Sequence, residues 1–323
     1  MEAARRELRA SHFPLKSRTP MNRLLLLPAL LLTFAATGLR AQTFTTPADS
    51  RPAKAGEFRD IPYVTGGHER QRLDLYLPQQ SDGLRPVVVW VHGGAWEAGT
   101  KADCPAKGML ARGYVVVSVG YRLSQHAVFP AQIQDCKAAI RWLRAHAAEY
   151  QIDPDRIGVW GASAGGHLVA LLGTTGSVRD FDVGENLAQS SCVQCVIDWF
   201  GPADFLHYGD PAKARLDDVK SPVTRLLGGT VLEKPELARQ SSPIYYVKAD
   251  AAPFLIMQGD TDPLVPMQQS ESLHAALQQA KVESVLKIYP GAGHGGAQFG
   301  SPESRKMMAD FLDQHLAKAK ATR

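Results

Sequence analysis

Six short apolar runs constrain this chain more than any other feature: "PVVVWV" (86–91), "YVVVSV" (114–119), "IGVW" (157–160), "VIDWF" (196–200), "PFLIMQ" (253–258) and "VLKIY" (285–289). Uninterrupted apolar stretches of this length suit strands buried on both faces of a parallel sheet. Parallel neighbours need crossovers of a dozen or more residues, usually helices. "RLDLYLP" (72–78) alternates with period two instead, the pattern of a half-buried edge strand. Among the crossovers, "FPAQIQDCKAAIRWLRAHAAEY" carries Ile133, Cys136, Ile140, Leu143 and Ala147 at spacings of three and four, with Pro130 near its start. Residues 266–280 and 301–319 read as further amphipathic helices. The order predicts an α/β fold, a mostly parallel central sheet with helices on both faces. Periodicity is weak from about 204 to 242, where a small cap excursion over the sheet is expected.

Composition fits one domain over residues 58–323, because 45% hydrophobic and 21% charged residues describe an ordinary globular chain. The formal charge of +4 leans on Arg5, Arg6, Arg9, Lys16, Arg18 and Arg23, which precede a leucine-rich run. Beyond that segment little basic excess remains, so no nucleic-acid partner is expected. The run "LLLLPALLLTFAATGLRA", basic on one flank and small-residued before Gln42, has the layout of a secretory signal at 1–41, with Met21 as an alternative start. Pro28 interrupts it short of the roughly 20 apolar residues of a membrane span, so stable membrane insertion is not expected. Residues 42–57 form a leader, and an exported protein, periplasmic or extracellular, follows.

Export permits disulfides, and the four cysteines allow three pairings. Cys192 and Cys195 form a C-x-x-C that reads as two small buried residues or a local disulfide. No partner ligands follow at zinc spacing, so no metal is implied. A Cys104–Cys136 bridge is also open.

Within this frame, Gly161-Ala162-Ser163-Ala164-Gly165 matches G-x-S-x-G between a strand and a helix. A nucleophile on so sharp a turn needs neighbours without bulk, and the helix that follows aims free N–H groups and a positive dipole end at the reacting centre. A tight turn without chemistry is the plainer reading of the pentapeptide alone. "VWVHGGAW" (89–96) also leaves a strand end, and its backbone can turn N–H donors toward a developing oxyanion. Gly94, Ala95 and Ala164 are the candidate donors, and His92 reads as a brace for the loop. "FLIMQGDTDPLVP" (254–266) ends a strand in two carboxylates. Asp262 is the preferred acid, Asp260 a loop brace bonded to its own backbone, and Asp204 the alternative acid. His294 follows the last apolar run in "IYPGAGHGG", giving the chain order Ser163, Asp262, His294. Neutral imidazole accepts the serine proton near pH 7, and the aspartate fixes its tautomer. Trp96, Trp199 and Phe200 stand near strand ends as candidate pocket residues, or as core.

The segments "HGGAW", "GYRLS", "FPAQIQDCKAAIRWLRAHA", "IDPDRIGVWGASAGGHLVALL", "DWFGPADF" and "GDTDPLVP" resemble the α/β-hydrolase esterases related to hormone-sensitive lipase. They resemble especially the branch of bifunctional feruloyl and acetyl-xylan esterases, over roughly residues 58–318. The resemblance implies the α/β-hydrolase fold, a Ser163–Asp262–His294 triad, an oxyanion site at Gly94, Ala95 and Ala164, and no cofactor. It implies a small-molecule or polysaccharide-linked ester as substrate, with acetyl or feruloyl acyl groups. Ala95-Trp96 replaces the third glycine of H-G-G-G and its follower, and H-G-G-x-W also resembles kynurenine formamidases. A formamidase-like amidase is therefore one alternative, and a non-catalytic binding protein on a hydrolase scaffold is another.

Overall fold

The computed structural model describes residues 56–79, 83–209 and 218–317. The expected signal segment and most of the leader lie outside the described residues, as does part of the expected cap. Eight strands form one sheet: β1 (Gly56–Pro62), β2 (Arg72–Leu77), β3 (Arg85–Val91), β4 (Val115–Val119), β5 (Ile152–Ala162), β6 (Cys195–Trp199), β7 (Phe254–Gly259) and β8 (Ser284–Tyr289). Their order across the sheet is β1-β2-β4-β3-β5-β6-β7-β8. The β1–β2 and β2–β4 pairs are antiparallel, and every other pair is parallel.

Two expectations about edges change. β2 is not the edge, because β1 pairs outside it along a polar, mostly exposed sequence with no apolar period to announce it. Leu73, Leu75 and Leu77 face the core, as the alternation requires, and Asp74 on the opposite face is buried as well. Its carboxylate pairs with Lys101 Nζ at 2.6 Å and accepts the Asp60 N–H at 2.9 Å, so the polar phase of the strand is covered by ion pairing rather than by water. β8, expected as a central strand, is the opposite edge: it pairs with β7 alone, and most of its side chains are only partly buried.

Helices cover both faces. On one lie α1 (Ala131–Ala145), the short α2 (Ala147–Tyr150), α3 (Ala164–Thr174) and, between β7 and β8, α6 (Met267–Gln279). Ile133, Ile140, Leu168, Leu171, Leu273 and Leu277 join Val87, Val89 and Val159 of the sheet in this core. On the other face, α7 (Pro302–Leu316) sets Met308, Phe311 and Leu312 against Val88, Trp90 and Ile197. The excursion between β6 and β7 contains two short helices, α4 (Pro222–Leu227) and α5 (Pro235–Gln240). Among the described residues no helix is long and apolar enough to cross a membrane.

α1 departs from a simple amphipathic pattern, since its polar face is buried too. Lys137 Nζ donates to the carbonyls of Thr175 and Val178 and to Ser191 Oγ, Arg141 pairs with Asp182 at 2.7 Å, and Arg144 donates to the carbonyls of Pro154, Ser190 and Cys192. Three basic side chains thus tie the loop after α3 to the domain. A buried cation that lost these acceptors would be strongly unfavourable.

All four cysteines are free thiols. Cys136 lies in the core on the α1 side while Cys104 packs against the core of the other face, so the sheet separates the pair considered for a bridge. In the C-x-x-C, Cys195 points into the α7-side core, and Cys192 Sγ contacts the Gly176 carbonyl at the end of α3.

The register of β3 with β5 brings Val91 level with Gly161, so two strand ends meet where α3 begins. A Cβ on Gly165 would overlap the carbonyl oxygens of Val91 and His92, and one on Gly161 would overlap the Gly165 carbonyl. Backbone is the obstacle in each case, and backbone yields little. Gly165→Ala is therefore expected to destabilise the fold by about 1–3 kcal/mol, the usual cost of overpacking. Urea unfolding of the variant beside the wild type measures it, and an unchanged midpoint would refute this close approach.

Candidate active site

Ser163 occupies the turn between β5 and α3 with φ 56° and ψ −119°, a conformation costly for a residue with a side chain. Two bonds hold it there: its N–H donates to the Trp199 carbonyl at 2.8 Å, and its carbonyl accepts the His167 N–H at 2.9 Å. The turn carries the hydroxyl past the strand ends toward a loop that follows β8. There His294 Nε2 lies 2.8 Å from Ser163 Oγ, and its Nδ1 lies 2.7 Å from Asp262 Oδ2. A carboxylate can only accept, so Nδ1 carries the ring proton and Nε2 is free to accept from the serine. Asp262 and His294, 32 residues apart in sequence, meet because β7 and β8 are parallel neighbours with their loops at the same end.

The Asp262 carboxylate is fully enclosed. Burial opposes its ionisation, but the His294 bond and the N–H groups of Val265 and Leu264 outweigh burial and hold its carboxyl below the ordinary aspartate range. Gln258 at the end of β7 donates to Oδ2 at 3.1 Å, and its own oxygen accepts from Ser270. The acid is therefore oriented from several sides. Phe200 packs against the His294 ring with centroids 4.5 Å apart, backed by Phe299.

The loop after β3 runs through three consecutive positive φ values: 107° at Gly94, 54° at Ala95 and 59° at Trp96. Gly94 tolerates this freely, whereas Ala95 and Trp96 need external support. The Gly94 carbonyl accepts the N–H groups of Glu97 and Ala98, and the Trp96 carbonyl accepts that of Ser124. Among the described residues, no acceptor takes the N–H of Gly94, Ala95 or Ala164. His92 is buried beneath the loop, stacked on Tyr121 and bonded to Arg70 and the Gly93 carbonyl. Burial pushes its pKa down to about 4, so it is neutral at pH 7.

The structure separates the three aromatic pocket candidates. Trp96 lines a cavity of about 200 Å³ that also contains Ser163 and His294. Trp199 does not: strand alternation puts it on the face of Cys195 and Ile197, where it packs against Trp90, Trp160 and Phe299. Phe200 braces the histidine rather than lining the cavity. Asp204 does not act as a second acid on His294; it accepts the N–H groups of Leu206 and His207 and pairs with the His207 ring and Tyr245 hydroxyl. Asp260 accepts the N–H of Gly291 on the neighbouring loop instead of bonding its own backbone.

Several residues here escaped the sequence reading. Tyr208, Leu264 and Val265 wall the cavity from loops and Val223 from the short helix α4, none of them in a segment with a readable apolar period. His167 follows Ser163 by one helical turn, a spacing that does signal proximity, but on a leucine-rich helix it reads as core. Asp198, on the α3 face of β6, is wholly buried beneath the serine turn. Its Oδ1 accepts the Gly201 N–H at 2.9 Å, and its Oδ2 has no partner among the described residues. No group of three or more His, Cys, Asp or Glu side chains that could hold a metal ion occurs among the described residues.

Sheet order, strained serine turn and the Ser163–His294–Asp262 chain define an α/β-hydrolase. Residues 73–277 match the family model described as BD-FAE, and residues 234–322 match one described as TAP-like protein. Esterase LipC of Mycobacterium tuberculosis is 34% identical over 291 residues, covering 84% of this chain and 71% of that protein. Esterase LipQ of the same organism is 32% identical over 267 residues, covering 81% of this chain but only 62% of its own length. A truncated carbohydrate esterase from gut microbiota superposes with a TM-score of 0.76 at 34% identity, covering 83% of this chain and 98% of that one. The chain belongs to the BD-FAE family, an esterase branch of the α/β-hydrolases.

Burial, only partly offset by the Gly201 N–H, raises the pKa of Asp198 from 3.8 to about 7. For an acid raised on folding, the stabilising contribution is complete below about pH 4 and is lost as pH climbs through about 7. Asp198→Asn removes this titration. Its unfolding free energy relative to wild type is expected to improve by up to about 1.4 kcal/mol per pH unit between those limits. Urea titrations at pH 5, 6 and 8 test this, and a pH-independent difference would show that Asp198 is ionised throughout.

Proposed function

We propose that this protein is a serine esterase that hydrolyses short-chain acyl esters through a covalent acyl-enzyme. One observation carries the reading: His294 is bonded at once to the Ser163 hydroxyl and the Asp262 carboxylate. Ser163 Oγ attacks the ester carbonyl carbon while its proton passes to His294 Nε2, and the imidazolium is stabilised by Asp262. The oxyanion is received by the unused N–H groups of Gly94, Ala95 and Ala164, one such donor being worth roughly 3 kcal/mol of barrier. Collapse breaks the bond to the alcohol, which leaves with the proton from Nε2. Water then gives its proton to Nε2, attacks the acyl carbon and releases the acid and free Ser163.

The cavity supports a small apolar acyl group. Its volume of about 200 Å³ lies below the roughly 300–1,000 Å³ of sites for drug-sized ligands. Its walls are largely side-chain carbon from Trp96, Pro202, Val223, Leu264 and Val265. The Tyr208 hydroxyl donates to the Leu264 carbonyl, and Ser221 Oγ accepts the Val223 N–H, so both hydroxyls already hold a backbone partner. Acetyl fits this description better than feruloyl. The likeness to a carbohydrate esterase supports a sugar hydroxyl as the leaving alcohol, with small aryl or alkyl esters as further substrates. The basic flank and leucine run at the N-terminus support export to the periplasm or beyond.

The reading is tested by kcat/KM for p-nitrophenyl acetate, butyrate and octanoate, methyl ferulate and N-formylkynurenine. Acetate and butyrate are expected to exceed octanoate and methyl ferulate at least tenfold, with negligible turnover of the formamide. Ser163→Ala is expected to lower ester turnover by roughly 10⁴-fold or more. Undiminished hydrolysis by that variant would overturn the mechanism, and a preference for ferulate or formamide would overturn the substrate class.

A further inference from the structure

The loop that supplies Gly94 and Ala95 is held in an unfavourable backbone conformation at Ala95 and Trp96. Trp96 is 4% exposed, and its indole reaches α3. Trp96 Nε1 donates to His167 Nδ1 at 3.2 Å. On its far side, His167 Nε2 lies 2.6 Å from the Ser241 carbonyl oxygen, just beyond α5. The two bonds fix each other's direction. An indole N–H can only donate and a carbonyl can only accept, so Nδ1 must be bare and Nε2 must carry the hydrogen. Phe205 encloses the ring, 5.1 Å from His167 and 5.8 Å from Trp96.

We propose that His167 is a positioning residue for the oxyanion loop, binding the Trp96 indole from the nucleophile helix and thereby aiming the Ala95 N–H beside Ser163. The inference rests on the esterase reading above and assigns His167 no contact with substrate. One imidazole joins the three segments that must agree in position: the loop after β3, the helix after Ser163 and the excursion after β6. A base is not required of it, and its placement gives it none of the surroundings of one. Its burial, which depresses the pKa to about 4, keeps the accepting nitrogen free of a second proton in neutral solution.

Two substitutions divide the imidazole's bonds. His167→Asn places an amide oxygen near the Nδ1 position, keeping an acceptor for Trp96, whereas His167→Gln places an amide nitrogen near Nε2, keeping the donor to Ser241. Trp96→Phe removes the indole donor from the other side while retaining a ring. With p-nitrophenyl acetate, His167→Gln is expected to lower kcat about 10- to 100-fold with KM within about twofold, since a donor moved by about 1 Å costs up to 10²-fold. His167→Asn is expected to recover kcat to within about fivefold of wild type. Trp96→Phe with His167→Gln should be no slower than the slower single variant, within about twofold, because both remove one bond.

A two-bond ¹⁵N–¹H spectrum of the wild type gives a readout independent of turnover and of any variant's folding. It should show His167 as the Nε2–H tautomer. Wild-type kcat in both His167 variants, independent multiplication of the Trp96 and His167 losses, or an Nδ1–H tautomer would overturn the proposal. Absence of esterase turnover in the wild type would instead overturn the reading beneath it, while the tautomer would still report on the Trp96 bond.

Discussion

The parallel register at the centre of the sheet is the constraint on which the site depends. β3, β5 and β6 end level with one another, with Val91 opposite Gly161 and Ala162 opposite Trp199. The Ser163 N–H extends this ladder by one more bond to the Trp199 carbonyl, so Ser163 is still anchored to the sheet when the chain turns into α3. The loop after β3 leaves at the same level, and Gly93 and Gly165 lie where it meets the serine turn. Shifting one strand by a residue would exchange its faces and displace the turn, so the apolar contacts that set the register also set the distances among Ser163, His294 and Asp262.

Charge and burial complete what register begins. Asp262 can remain ionised in an enclosed position because His294, Gln258 and two backbone N–H groups face it. Asp198 has far less compensation, and its pKa moves the other way. The same residue type a few ångströms into the protein is thus an anion in one place and largely a neutral acid below pH 7 in the other. The difference lies both in depth, Asp198 being the more deeply buried, and in the number of donors that face each carboxylate. His92 and His167, both buried near the site, are held neutral, which leaves His294 as the imidazole joined to both hydroxyl and carboxylate.

Ser163, Asp262 and His294 were legible because each follows an apolar run, and strand ends in a parallel sheet gather in space however distant they are in sequence. The central strands were legible for the same reason: burial on both faces leaves no polar phase. β1 was not, since a polar exposed strand owes its place to β2 and to charges around Asp74 rather than to its own pattern. Trp199 illustrates a finer limit. Its neighbourhood could be read, but the face it occupies depends on the phase of β6, which one apolar run buried on both sides does not reveal. The free cysteines follow from the same geometry, because Cys104 and Cys136 belong to segments adjacent in order but separated by the sheet. The cavity walls come from loops and the short helix α4, whose conformations depend on contacts made only after the sheet has formed.

The most direct test of the account is a crystal structure of the protein after reaction with a small alkyl fluorophosphonate, whose tetrahedral adduct mimics the oxyanion. Phosphorus is expected on Ser163 Oγ, with one phosphonyl oxygen about 2.7–3.1 Å from the backbone nitrogens of Ala95 and Ala164. An adduct on another residue, or one on Ser163 whose oxygen turns away from both nitrogens, would contradict it.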